Sequence, residues 1–339
     1  MVSCGRDMYD EQLRQIDKEL YRCHQRNAEF QNSLAGQYEA FRNAWTDSML
    51  WEASYALFDS YSLRNTDSVA VYLQAMLDLN WDSEMIFRTK VCRAKSYALI
   101  NNSRLEQLMP EILAHEVSET FLPRYLSMMI DIYSRSPELS SYASNYVDLL
   151  EMAIADASYP EDQMLWYKGL RAMAYNRTSD AVKFLSDAYN ITEDTSLKGA
   201  CAENLADIYS CMGNPHLEKK WLVNSSLYHL ISLEGELSSL YRLSLILAEE
   251  GDYIRSANYI RTVIERASSS GYPELVVGSA TGSLAITATL DRIDRTRLSA
   301  LYVALGGGNR SLVGHTSDVR SGQEEKPSYP QDSGGSKQN

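Results

Sequence analysis

In ILAHEVSET, residues 112–120, His115 is followed by Glu116 and Glu119. An imidazole beside carboxylates is what a protein uses to hold a divalent cation or to move a proton. A helical metalloprotease site needs a second His one turn on. The five His, at 24, 115, 216, 229 and 315, form no such pair. On a helix, Glu116 and Glu119 read as a solvated face. Two other carboxylate pairs, Glu203 with Asp207 and Glu249 with Glu250, would suit an α/α-toroid glycoside hydrolase, which needs two acids at a defined separation. Acids at i and i+4 are commonplace on repeat helices, so that enzyme is the alternative reading and a non-catalytic role the main one. Neither GSATGS at 278–283 nor GGGN at 306–309 supplies a phosphate loop with its Lys, and no G-x-S-x-G nucleophile elbow is present. The five Cys, at 4, 23, 92, 201 and 211, show no C-x-x-C spacing and read as buried free thiols. No cofactor and no metal are expected.

A formal charge of −13, without a cluster of Lys and Arg interleaved with aromatics, argues against direct nucleic-acid binding. LVVGSATGSLAITATL at 275–290 and ALYVAL at 300–305 lack the length or the apolar content of a spanning helix. MVSCGRD has no apolar leader, although Val2, Ser3 and Cys4 would fit the end of a lipoprotein signal begun further upstream. As written, the chain is expected to be soluble and cytoplasmic. It would face the cell envelope or periplasm if either end is truncated, and only a product longer at one end would meet a membrane.

Ten of the 17 Gly fall after residue 270, which leaves the preceding chain nearly free of helix breakers. Leu13, Ile16, Leu20, Cys23, Asn27, Phe30 and Leu34 recur at steps of three and four, which predicts a long helix over about residues 7–35 ended by Gly36. Further on, Ser68, Leu105, Ala143, Ala181, Glu218 and Ser256 lie 37 or 38 residues apart. Four residues beyond each stand Tyr72, Met109, Val147, Leu185, Leu222 and Ile260, and three more on Ala75, Ile112, Leu150, Ala188, Ser225 and Val263. A period in this range marks stacked helical hairpins, because a lone hairpin cannot bury its apolar face. Gly213–Asn214 and Gly251–Asp252 suit the turn between the two helices of a unit. Glu218 and Leu105 fit the small-residue column poorly, so the middle units are expected to be distorted or shifted by one.

NTDSVAVYLQAMLDL (65–79), AENLADIYSCMGN (202–214) and ISLEGELSSLYRLSLILAEEGDYIRSANYIRTVIERA (231–267) resemble the tetratricopeptide (TPR)-like region of putative Bacteroidetes transcriptional regulators that carry a domain of unknown function. The resemblance spans about residues 7–270. It implies an envelope sensor: an exported helical-repeat region, a coiled segment, a membrane helix and a cytoplasmic helix-turn-helix. After Ala267 the chain departs from that plan, and a truncation or reading-frame shift near residues 268–275 is expected to account for the change.

The expected fold is an all-α right-handed superhelix of about six TPR-like hairpins. A long N-terminal helix and connector (1–47) lead into the repeat domain (48–270), an irregular segment with a short helix (271–305) and a disordered tail (306–339). In TPR arrays the first helix of each unit faces the concave side, which places Tyr61, Lys90, Tyr97, Tyr125, Arg135, Trp166, Asp207 and Tyr241 beside the groove. Aromatic and Arg side chains there are anchors for an extended peptide or a partner helix. The expected function is protein or peptide binding, as the sensor or scaffold part of a bacterial regulatory protein.

Overall fold

The computed structural model describes residues 4–271 apart from 80–82, 101–102, 137–138, 140–142, 157 and 235–236. The expectations for most of 271–305 and for all of 306–339 lie outside the described residues.

Among the described residues the regular elements are fourteen α-helices and no strand. Helix α1 (Cys4–Ser33) and the short α2 (Ala35–Arg42) precede six helical hairpins. These are unit one, α3 (Asp47–Tyr61) and α4 (Thr66–Leu77); unit two, α5 (Ser83–Leu99) and α6 (Arg104–Leu113); and unit three, α7 (Leu122–Arg135) and α8 (Ala143–Ala155). Unit four is α9 (Glu161–Ala174) with α10 (Thr178–Ile191), unit five α11 (Thr195–Cys211) with α12 (Pro215–Ile231), and unit six α13 (Ser238–Glu249) with α14 (Tyr253–Ser270). The chain is the all-α hairpin superhelix that the repeat period predicts.

The turns follow from their residues. Gly213 and Gly251 end their helices at φ 66° and 88°, where a side chain would be strained, and Asn176 takes the same conformation in unit four at φ 56°. Asn214 and Asp252 then cap the second helices, accepting from the Leu217 and Arg255 amides at 3.1 and 3.2 Å. Gly36, expected to end the first helix, lies instead inside α2. The break falls two residues earlier, at Leu34, whose side chain is buried.

Leu105, Ala181 and Ser256, then Met109, Leu185, Leu222 and Ile260, then Ile112, Leu150, Ala188, Ser225 and Val263 are all buried, as the repeat columns require. In α4 the buried set is Val69, Leu73 and Met76, one residue on from Ser68, Tyr72 and Ala75. The column is out of register there because a helix presents its core at 3.6-residue steps, and its start sets the phase. Units one and two are tied by Trp51, fully buried, whose indole N–H donates to Thr89 at 3.0 Å.

The stack curls until its ends meet. Arg64, between α3 and α4, donates to the Ser232 carbonyl at 2.9 Å, and Thr66 donates to the Ser270 carbonyl at 2.9 Å. Helix α1 joins the same ends: Tyr9, Leu13 and Ile16 pack into the core of units five and six, while Phe30 meets Tyr61 of unit one edge-on at 5.5 Å.

Two glycines predict opposite outcomes. A Cβ on Gly199 would lie 2.2 Å from the His229 ring, whereas one on Gly36 meets nothing within 4 Å. Gly199→Ala should lower the unfolding free energy by about 1–3 kcal/mol through overpacking. Gly36→Ala should leave it unchanged or raise it by roughly 0.5 kcal/mol. Urea unfolding followed by circular dichroism measures both, and equal effects would remove the close α11–α12 approach from the account.

Candidate recognition surface

The first helices of successive units carry one polar residue each at intervals of 36: Asp59, Lys95, Asp131, Tyr167, Glu203 and Ser239. Several of these meet across unit boundaries. The Lys95 ammonium lies 3.4 Å from Asp59 and 3.5 Å from Asp131, and Asp131 accepts from Arg135 at 3.0 Å. Glu203 accepts from the Ser238 and Ser239 hydroxyls, and Asp207, one turn on, pairs with Arg242, which also reaches Glu218 at 3.0 Å. Charged groups thus pair along the first helices of units one to three and again of units five and six, with the uncharged Tyr167 between them in unit four. Within this row Lys95 is enclosed, its side chain 10% exposed, while Asp59 and Asp207 open to solvent at 55% and 46%.

The ionisation of the row follows from competition between burial and pairing. Burial alone would push the Asp131 carboxyl up, but Arg135 and Lys95 more than offset it and hold it below the usual carboxylate range. Burial works against the Lys95 charge too, and Asp59 and Asp131 outweigh it, holding the ammonium above its ordinary value. At Glu203 burial is outweighed by His229, the two Ser hydroxyls and Arg135, and the carboxyl is lowered. At Asp207 burial prevails over Arg242 and the carboxyl is raised.

The eight residues expected beside the groove divide into four groups. Arg135 and Asp207 belong to the charged row. Tyr61 and Tyr125 are buried; Tyr61 bonds to Tyr38 and Gln31, and burial above all pushes its phenol up to about 12. Tyr97, Tyr241 and Trp166 are half-buried against the core, and the buried Trp166 indole N–H has no hydrogen-bond partner among the described residues. Lys90 pairs with Glu111 at 2.8 Å, bridging α5 and α6.

The other chemical candidates are occupied structurally. His115 stacks on Phe87 at 4.0 Å in the α6–α7 connection, so Glu116 and Glu119 lie in a loop and not on a helix face. Glu250 pairs with Lys219. Burial pushes the Cys92 and Cys201 thiols up to about 12, which keeps them protonated and inert, whereas Cys211 is exposed, contrary to the expectation of buried thiols. Among the described residues, no group of three or more His, Cys, Asp or Glu is placed to hold a metal ion.

Sequence reasoning missed Asp59, Lys95, Asp131 and Arg242, and read Glu203 only as half of an acid pair with Asp207. A search for apolar columns finds the second helices, whose cores repeat at 37–38; the 36-residue column is polar and was hidden from it.

A family model for the SusR N-terminal TPR domain matches residues 25–272. No curated protein and no solved structure matches the chain.

Asp131 has a folded-state pKa below that of the unfolded chain, so its pairing stabilises the protein above about pH 4, and the gain is lost as pH falls through the folded value. Removing the cation with Lys95→Met leaves Asp131 to Arg135 alone and should cost about 1–3 kcal/mol at pH 7. The deficit relative to the parent should shrink below about pH 4, as the carboxyls become neutral. Denaturant titrations at both pH values check this, and a deficit independent of pH would mean that Lys95 contributes by packing alone.

Proposed function

The chain belongs to the SusR N-terminal TPR domain family, and from that premise we propose that it is the recognition module of a bacterial regulatory protein. In this reading it binds an extended peptide or a partner helix along its row of first-helix charges. The family supports the coarser statement, a helical-repeat module for protein binding or regulation. The observation that carries the finer one is the polar column of the first helices, charged in units one to three and in units five and six, which reaches solvent at Asp59, Asp207 and, at 29% exposure, Arg242.

A column of fixed polar groups suits a ligand lying lengthwise. Each unit then presents one polar group to a successive part of it, while Trp166 and Tyr241 supply half-buried aromatic surface. The role is non-catalytic. The carboxylates that a glycosidase would use as acid and base, Glu203 and Asp207, are engaged by two hydroxyls and by Arg242.

Dependence on salt bridges within the row also predicts specificity. A partner must replace or complement these pairs, so affinity should fall as ionic strength rises. The test is capture of partners from the native host by the parent and by Arg135→Ala, Arg242→Ala and Trp166→Ala, each checked for helical content. Capture should drop at least tenfold in the two Arg variants and fall further in the Trp variant at raised salt. Undiminished capture by all three folded variants would reject the row as the binding surface.

A further inference from the structure

The N-terminal half of α1 sits on units five and six through a two-part interface. Its apolar part is Tyr9, Leu13 and Ile16, one face of the helix at i, i+4 and i+7, set against the core shared by α12, α13 and α14. Its polar part centres on Arg255 of α14, which donates to Asp17 at 3.1 Å, to Asp10 at 3.2 Å and to Asp252 of its own turn at 3.1 Å. Tyr259 adds a bond to Asp17 at 3.0 Å, and the Tyr9 hydroxyl lies 3.2 Å from the His216 ring. Leu20 packs on the same core and Glu19 is buried beside Arg26, while Arg14, Gln15 and Lys18 are exposed, and Tyr21 is 93% exposed. The family match starts at residue 25, after all of these contacts.

We infer that the α12–α14 surface is a docking site for an acidic amphipathic helix, and that residues 7–22 of α1 are a releasable strap seated in it. The fit is specific in chemistry. The cradle offers an apolar floor for residues spaced i, i+4 and i+7, and one guanidinium that reads carboxylates seven residues apart, as Asp10 and Asp17 are. Residues 7–22 form one half of a 30-residue helix whose other half is held at unit one, so unseating Tyr9, Leu13 and Ile16 and breaking the Arg255 bonds frees this half alone. Because the other half of α1 is fixed to unit one at Phe30 and Gln31, the seated strap also restrains how far the stack can open. The inference stands or falls independently of the function proposed above.

The test uses the full chain carrying Leu13→Asp and Ile16→Asp, which unseats the strap, and a fluorescent peptide of residues 7–22. Anisotropy should show saturable binding of the peptide to this double variant and none to the parent, whose cradle is filled. Adding Arg255→Ala to the variant, or Asp17→Asn to the peptide, should weaken binding at least tenfold. A variant that keeps its helical spectrum yet binds no peptide, or binds it equally without Arg255, overturns the inference. Should the variant fail to fold, hydrogen exchange of the parent decides: amides of residues 9–20 should exchange at least a hundredfold faster than those of α11 and α12. Protection equal to that of α11 and α12 would make α1 an integral part of the core and overturn the strap.

Discussion

A hairpin of two amphipathic helices has more apolar surface than it can hide, and every feature of this protein follows from where the remainder goes. Units two to five each have a neighbour on both sides. Units one and six do not, and an end unit with a bare flank is the recurrent weakness of stacked repeats. Here the two ends supply cover for each other. Arg64 and Thr66 bond to the last carbonyls of α12 and α14, and α1 packs Tyr9, Leu13 and Ile16 against unit six while its far end meets Tyr61. The chain thereby caps its own stack.

Closing the stack fixes its curvature, and curvature decides which first-helix residues can touch. Lys95 reaches Asp59 and Asp131 at once only because units one, two and three turn toward one another. Such a buried cation stabilises little in net terms, since desolvation offsets most of the attraction. Its stronger effect is on register: any other alignment of the three helices would leave an enclosed charge without a partner. The row therefore acts as a specificity device for the stack as well as a candidate surface for a ligand.

The hairpin architecture was legible in the sequence because second helices repeat their buried residues at nearly constant spacing, as Leu185, Leu222 and Ile260 do. Turns at Gly213 and Gly251 were legible because only Gly adopts that backbone conformation without strain. The phase of α4 was not, since nothing in Ser68–Tyr72–Ala75 distinguishes it from Val69–Leu73–Met76 until the helix start is known. Tyr61 and Tyr125 show the main difficulty at the candidate surface: a Tyr on a first helix can as easily fill the core as line a groove, and composition does not separate the two. Closure of the stack was invisible because it joins residues about 170–200 positions apart through backbone carbonyls, which leave no side-chain pattern.

The closure and the charged row share residues, which links shape to recognition. His229, at the end of α12, lies 3.5 Å from Glu234 and beside Ser225, whose hydroxyl meets Ser239 at 2.8 Å; Ser239 in turn donates to Glu203 of the row. Two residues before Glu234, the Ser232 carbonyl receives Arg64 from unit one. Enclosed polar groups of this kind tolerate little displacement, because each lost bond leaves a desolvated partner. A ligand that engages Glu203 therefore acts on the same network that holds the first unit to the last two. It changes the shape of the stack to the extent that it binds the closed and opened forms with different affinity. In the proposed recognition role, occupancy would be reported through curvature, with no moving part beyond the unit boundaries themselves.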